Sequence, residues 1–313
     1  MKISFVIVNF NTGNILQECV ESIFNYEDTS LFEIIVVDNG STDGSPGIIE
    51  EIAKKYSNVE AIFLKKDDGF SRANNIGYDK TSGEYVLIMN PDIIFTESIL
   101  QKLMNDIEDD KMLGAVCPLL VGKDGNFQRN YFQRYPTLMQ FILFHSIFGK
   151  FFHRFPSLMN RYLENQDIDT KTGKIEEVEQ IPFAFFMTTR EIFEDAGKMD
   201  EGYKLFFEDV DLSYQIHKKF KLGVDTSIRV THLGGESFKT DDNWWLYGRF
   251  ITGMKYFFSK NYGWMRTFLL KVSTFINSFL IISIENLKRL FSGKESYRLK
   301  KHRYFLKLQR EEN

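Results

Sequence analysis

The sequence predicts an α/β fold, a mixed and mainly parallel sheet flanked by helices, followed by a helical amphipathic C-terminal extension. Three observations carry this. Apolar β-branched runs alternate with helix-like stretches through the first third of the chain, the pattern of βαβ units with right-handed crossovers. The 313 residues are enough to bury a large core without disulfide or metal staples. The charge is also divided: from Lys239 onward 15 basic residues stand against 6 acidic ones, whereas 24 stand against 37 before it. An acidic body therefore carries a basic, aromatic tail.

Ile3 to Val8 reads as a strand, Asn14 to Asn25 as a helix and Glu33 to Val37 as a second strand. Ser45 to Tyr56 is helical, Val59 to Leu64 a strand, Ser71 to Lys80 helical, and Tyr85 to Met89 a strand. In such sheets ligands bind beyond the carboxyl ends of the strands. That rule singles out Asn9 and Asn11, Asp38 and Asn39, and Asn90 to Asp92. The aromatic stretch from Phe127 to Phe155 has few stop signals and reads either as a mobile loop or as core. Strand-like runs at Glu179 to Thr188 and Leu222 to Val230 flank FFEDVDLSYQIHKKF, a helix entered through acids, which suit a helix N-terminus. The body spans residues 1–238, in halves 1–120 and 121–238, and the tail spans 239–313. Cys19 and Cys117 are the only cysteines and lie in no CxxC, so neither a disulfide framework nor a zinc site is suggested and a reducing cytosol fits. The first apolar run ends at Asn9, too short for a signal-peptide core. A cytoplasmic protein is expected.

Four positions could carry chemistry. Asp38 follows EIIVV and precedes NGSTDGS, so its carboxylate could accept the ring N–H of a pyrimidine; an Asp in such a loop also serves simply as a turn former. Asp92 follows YVLIMNP, with Pro91 fixing the local backbone, and can hold Mg²⁺ or Mn²⁺ or cap a turn. Asp209 belongs to Phe-Phe-Glu-Asp-Val-Asp-Leu, where three carboxylates within four positions repel one another and favour a perturbed pKa. His232 follows an apolar run and precedes Leu-Gly-Gly, whose glycines allow a ligand to approach the backbone closely, so it leans toward metal binding over a purely structural role.

The ordered set VIVNFN, EIIVVDNGSTDGS, GFSRANNIG, GEYVLIMNPD, FFEDVDL and THLGGES resembles the family 2 glycosyltransferases of GT-A fold, in particular their rhamnosyltransferase-like branch in bacterial surface-polysaccharide synthesis. The resemblance implies that Val8, Asn9 and Asp38 surround the pyrimidine, with Arg72 and Asn75 near the ribose and diphosphate and Asn11 counted among the nucleotide-sugar-binding residues. It places Asn90 and Asp92 at the family's Asp-X-Asp motif, with Asn90 standing where the first acid belongs. Metal coordination then falls to Asp92, His232 and the diphosphate. Asp209 corresponds to the catalytic base and Glu208 to its orienting neighbour. The implied reaction is a metal-dependent, inverting transfer of a sugar from a nucleotide diphosphate, dTDP-rhamnose first and UDP-hexoses second, to a cell-envelope or lipid-linked glycan. A non-catalytic sugar-nucleotide-binding protein is the reading that Asn90 keeps open. No GxGxxG follows any strand, which argues against a dinucleotide oxidoreductase. A nucleotidyltransferase would want a Gly- and Lys/Arg-rich loop after the first strand, and NFNTGN is not one.

The tail shows no nucleic-acid-binding pattern. Within TFLLKVSTFINSFLIISI, Lys271, Thr274, Ser278 and Glu285 gather on one helical face, leaving Phe268, Val272, Phe275, Ile276, Phe279 and Ile282 on the other. With Lys271 and Asn277 inside it, this run reads as an interfacial helix rather than a span. Peripheral attachment to the inner face of the membrane is expected, with packing on the body or on a second copy of the chain as the alternative.

Overall fold

A computed structural model describes residues 2–234 and 243–311. The chain divides into two compact units, residues 1–134, 165–201 and 208–239, and residues 135–164, 202–207 and 240–313. Segments 135–164 and 202–207, which the sequence assigned to the body, thus cluster with the tail. In the shorter segment Phe206 and Phe207 pack against Phe250, and Phe207 also against Phe257; in the longer one Ile147 N–H donates to Asn277 Oδ1. The expected boundary before Lys239, and Gly235 to Ser237 of THLGGES, lie outside the described residues.

The first unit begins with the expected alternation: β1 (Ile3–Asn9), α1 (Gly13–Tyr26), β2 (Phe32–Asp38), α2 (Ser45–Lys55), β3 (Val59–Phe63), α3 (Phe70–Tyr78) and β4 (Tyr85–Met89). β5 (Ile93–Ile94), α4 (Leu100–Asp109) and β6 (Leu113–Val121) follow, then β7 (Ile175–Val178) and β8 (Phe185–Thr189). The short helices α5 (Leu138–Gln140), α6 (Gly149–Phe152) and α7 (Pro156–Arg161) lie between β6 and β7 and belong to the second unit. α8 (Arg190–Asp195), α9 (Glu208–His217) and β9 (Lys221–His232) complete the first. The strands form one sheet in the order β3-β2-β1-β4-β8-β6-β9-β5, with β7 also on β9. Pairing is parallel from β3 through β4; beyond it β8 runs antiparallel to both neighbours, and β6 and β9 are parallel. β1 and β6 are buried along their whole length, as strands covered on both faces must be.

Two local features set the strand ends. Gly77 brings α3 down onto the sheet, where a Cβ would stand 2.7 Å from Val6 Cγ1 and 2.9 Å from Val37 Cγ2. Pro118, which offers no N–H to a ladder, coincides with the register break at which Pro118 pairs with Asp225 and Leu119 with Arg229. The bulge lets the later part of β9 run on to meet β5, so that Ile93 pairs with His232.

Candidate active site

Parallel register places Asn9 beside Asp38 at the ends of β1 and β2. Asn9 Nδ2 donates to Asp38 Oδ1 at 2.9 Å and to Ser41 Oγ at 3.1 Å, while Thr12 Oγ1 donates to Asn9 Oδ1 at 2.8 Å. Asp38 also accepts from Ser41 Oγ on Oδ1 at 2.6 Å and from Ser41 N–H on Oδ2 at 3.0 Å. The carboxylate is buried and fastens its own turn, which Gly40 completes with a left-handed φ of 77° against the Lys66–Asp67 backbone. Val8 is buried beside this turn. Asn11 is left-handed too, with φ 56°; its Oδ1 accepts from Thr42 N–H at 2.8 Å and its own N–H donates to Ser41 Oγ at 2.9 Å.

Arg72 and Asn75 stand on α3. Asn75 is committed to a neighbouring turn, donating to Met199 O at 2.9 Å and Glu201 Oε1 at 3.0 Å and accepting from Met199 N–H at 3.2 Å. Arg72 is exposed and held only loosely, 3.7 Å from Asp68 and 3.9 Å from Glu201. Exposed pairs of that length contribute little, so its guanidinium is open to a stronger anion.

The β5–β9 pairing unites Asp92 and His232, 140 positions apart. Both side chains are buried, with His232 Nε2 3.4 Å from Asp92 Oδ1. Asp92 Oδ2 accepts from Gly234 N–H at 3.2 Å, while Oδ1 is buried with no hydrogen-bond partner among the described residues. On the far side of the ring, Gln128 Oε1 lies 2.7 Å from His232 Nδ1, and the same amide donates from Nε2 to His232 O at 2.9 Å. That second bond fixes the amide so that its oxygen meets Nδ1, which must then carry the proton. Nε2 on the other side of the ring faces the Asp92 carboxylate oxygen, so the two atoms are placed to hold a cation together. An orphaned carboxylate oxygen, a tautomer-fixed histidine and an O/N donor pair fit Mg²⁺ or Mn²⁺. The described residues contain no group of three or more His, Cys, Asp or Glu able to hold a metal, so these two would need further ligands from elsewhere. The Tyr131 ring packs edge-on against His232 with centroids 4.6 Å apart, and burial together with the Asp92 charge pushes its phenol up.

Asn90 N–H donates to Ala184 O at 3.2 Å, which ties the end of β4 to the segment carrying Phe183. The Phe183 backbone N–H in turn bonds the Asp209 carboxylate. Residues 183–184 thus join the end of β4 to the start of α9. The entry to that helix is strained: Phe206 and Phe207 are both left-handed, φ 68° and 75°, rare for bulky residues. Ser213 anchors the first turns by accepting from Ile181 N–H at 3.1 Å. Glu208, Asp209 and Asp211 then crowd the helix start. Burial pushes the Asp209 carboxyl up to about 6, against the lowering effect of bonds from the Val210 and Phe183 N–H groups. Asp209 is half-buried, whereas Glu208 and Asp211 are buried, and Gln215 Nε2 donates to Asp211 Oδ1 at 3.3 Å. Of the three acids, Asp209 is the least buried residue.

Sequence reasoning passed over Ser41, Gln128 and Tyr131. Ser41 sits inside a quoted motif; Gln128 and Tyr131 sit in none, and only the fold brings them to His232.

The strand ends of this sheet thus gather a locked Asn–Asp turn, an Asp–His pair able to hold a cation and a carboxyl of raised pKa. The sequence matches glycosyl transferase family 2 over residues 4–172, more than half of the chain, and the protein belongs to that family. It is 34% identical over 107 residues to glycosyltransferase GlyG of Streptococcus pneumoniae serotype 4, covering 34% of this chain and 35% of that protein. The matches span about a third of the length of such relatives, 35%, 30% and 38% in three of them. Among solved structures, a mannosyltransferase from Pyrobaculum calidifontis in complex with GDP-Man and Mn²⁺ aligns with a TM-score of 0.55 at 14% identity, over 97% of this chain and 85% of that one. TarS 1-349 of S. aureus in complex with UDP aligns at 0.53 and 16% identity, over 82% and 65%. At these identities the structural likeness speaks to the fold.

Proposed function

We propose that the protein is a metal-dependent, inverting glycosyltransferase that moves a sugar from a nucleotide diphosphate to a cell-envelope glycan or its lipid-linked precursor. The Asp92–His232 pair carries this reading: a buried, partnerless carboxylate oxygen facing a tautomer-fixed imidazole nitrogen is a ready half of a divalent-cation site. The Mn²⁺ bound by the Pyrobaculum relative in fold supports it. When bound, the cation neutralises charge gathering on the leaving diphosphate. Val8, Asn9, Asn11 and Asp38 form the base side of the pocket. Arg72 serves the diphosphate, and Asn75 shapes the wall through the Met199–Glu201 turn. Asn90 positions the end of β4 in place of a first acid. Asp209 takes the proton of the acceptor hydroxyl as its oxygen bonds to the anomeric carbon on the face opposite the departing diphosphate, so configuration inverts; Glu208 helps to hold Asp209 in place.

The resemblance to the rhamnosyltransferase-like branch makes dTDP-rhamnose the first donor to test and UDP-hexoses the next. The tail attaches the protein to the inner membrane surface, where a lipid-linked acceptor would be found. Nucleotide release from a panel of nucleotide sugars, with products identified by mass and anomeric configuration and with EDTA as the control, tests the reading. Metal-independent release, retention of configuration, or binding without turnover of any donor would each overturn it.

A further inference from the structure

In the second unit, α10 (Leu246–Asn261), α11 (Trp264–Ser292) and α12 (Tyr297–Glu311) form a helical cluster in which α11 buries Thr274, Asn277, Ser278 and Glu285 together with Leu270 and Ile281 and leaves a row of aromatic side chains uncovered. Inward, Asn277 Oδ1 accepts from Ile147 N–H at 2.8 Å, Ser278 Oγ bonds His302 Nδ1 at 3.0 Å, and Glu285 Oε2 accepts from Ser296 Oγ at 2.8 Å. Outward, Phe268, Phe275 and Phe279 are 58%, 57% and 59% exposed, with Leu269 and Ile276 between them. A contiguous exposed face of this kind marks a binding surface.

A groove of about 820 Å³, within the size range of ligand sites, opens along this face and is floored by Phe268, Val272 and Phe275. Lys204, Arg249, Lys255 and Lys271 line it, Lys255 donating to Gln309 Oε1, and no acidic residue lines it among the described residues. Lys204, Arg249 and Lys271 form no ion pair among the described residues. Thr252 Oγ1, also in the lining, is buried without a hydrogen-bond partner among the described residues. Three like charges around an apolar floor, with an unused hydroxyl beside them, match a phosphate attached to hydrocarbon.

We propose that this groove takes the headgroup phosphate of an anionic phospholipid, with its chains along Phe268, Val272 and Phe275, while the α11 face lies in the bilayer interface. The inference rests on the peripheral attachment proposed above and names the lipid that attachment recognises. A second copy of the chain is the poorer occupant, because a self-complementary contact would set these cations against themselves. A membrane span is poorer still. α11 is long and apolar enough to cross a bilayer, but its polar stripe is bonded to protein, and α12, packed along it, carries Arg298, Lys300, Lys301 and Arg303, which hydrocarbon does not accommodate.

The full chain is titrated calorimetrically with short-chain, monomeric phosphatidylglycerol and phosphatidylcholine, and separately cosedimented with phosphatidylcholine vesicles with and without phosphatidylglycerol. The expected result is binding of phosphatidylglycerol in both formats, weakened by salt. Arg249→Glu with Lys271→Glu should lower short-chain affinity more than about tenfold, given roughly 1 kcal/mol per basic residue. Phe279→Ser, outside the groove lining, should weaken vesicle binding while short-chain affinity stays. Thermal melts of both variants confirm folding. Equal binding of the two short-chain lipids, or vesicle binding that the double reversal leaves intact, overturns the groove assignment and leaves attachment standing. Short-chain binding without vesicle binding keeps the groove and removes the attachment. Geranyl phosphate bound more than tenfold tighter than phosphatidylglycerol transfers the groove to a lipid monophosphate. A concentration-dependent dimer that Phe275→Glu dissociates, with no lipid bound, overturns both.

Discussion

A base of raised pKa leaves a signature in the rate, and Asp209 is placed to leave one. Burial pushes its carboxyl up to about 6, so in the folded protein the group is protonated below that pH and ionised above it. Only the ionised form can accept the acceptor's proton. kcat/KM should therefore fall about tenfold per pH unit below about 6 and level off above it, with about nine-tenths of the enzyme competent at pH 7. Asp209→Asn removes the acceptor and should lower transfer by about 10²–10⁴-fold, which is roughly 3–5 kcal/mol of transition-state stabilisation. The same substitution should not harm the fold. Because the folded-state pKa is raised, ionised Asp209 costs stability above pH 6, and the amide variant should be more stable at pH 7 by at most about 3 kcal/mol. Asp211→Asn should do far less to the rate, since that side chain is buried and bonded by Gln215. Nucleotide release at saturating Mn²⁺ from pH 5 to 8, with thermal melts alongside, reads all of these. An acid limb that survives in Asp209→Asn, or a larger loss in Asp211→Asn, would refute the assignment.

Asp92→Ala should abolish Mn²⁺-dependent binding of the donor's nucleoside diphosphate in calorimetry, and Gln128→Leu, which frees the His232 tautomer without touching either ligand, should weaken it about 10–100-fold; unchanged affinities would remove the metal from this pair. Gly77→Ala gains helix propensity, but its methyl meets Val6 and Val37 within 3 Å; a net loss of about 1–2 kcal/mol is expected by denaturant titration, and a gain would mean that α3 can lift off the sheet. Asp106 shares Lys102 with the buried Asp225, and burial with the Asp225 charge pushes it up to about 6. Its ionisation therefore costs stability above pH 6, so Asp106→Asn should raise the melting temperature at pH 7.5 and lose that advantage as the pH falls through 6; a gain that persists at pH 4 would show packing, not charge, to be the cause.

The first half of the sheet was legible because each of its strands is a short apolar run bounded by polar loops, and the expected strands and helices from Ile3 to Met89 match the structure to within a residue or two. β6 was not read, although LGAVCPLLV is buried along its whole length. A fully buried strand has no alternation to betray it, and Pro118 inside the run argues against a central strand until the β9 bulge is seen. The site divides in the same way. Asp38, Asp92, Asp209 and His232 were nameable because each follows or adjoins a recognisable run. Gln128 was not, since its role depends on a contact across 104 positions that no local pattern encodes. Asn75 shows the converse: a motif residue whose amide is taken up by a turn more than 120 positions away.

The tail shows a limit that more careful reading of periodicity would not remove. The spacing of Lys271, Thr274, Ser278 and Glu285 established that α11 has two unlike faces, yet periodicity is symmetric with respect to which face turns inward. In water the apolar face is the one expected to be covered. Here Thr274 and Ser278 are fully buried, while Phe275 and Phe279 stand more than half exposed. The inversion is tolerable because each inward polar group is satisfied: Asn277 by the Ile147 backbone, Ser278 by His302, and Glu285 by Ser296 and Lys288. His302 itself is kept neutral, its pKa lowered to about 3 by burial and by Lys301 and Arg298, so the Ser278 contact adds no buried charge to the cluster. These polar bonds, with the buried Leu270 and Ile281, hold the helix in place while Phe268, Phe275 and Phe279 stay uncovered, which is the surface that the lipid proposal uses.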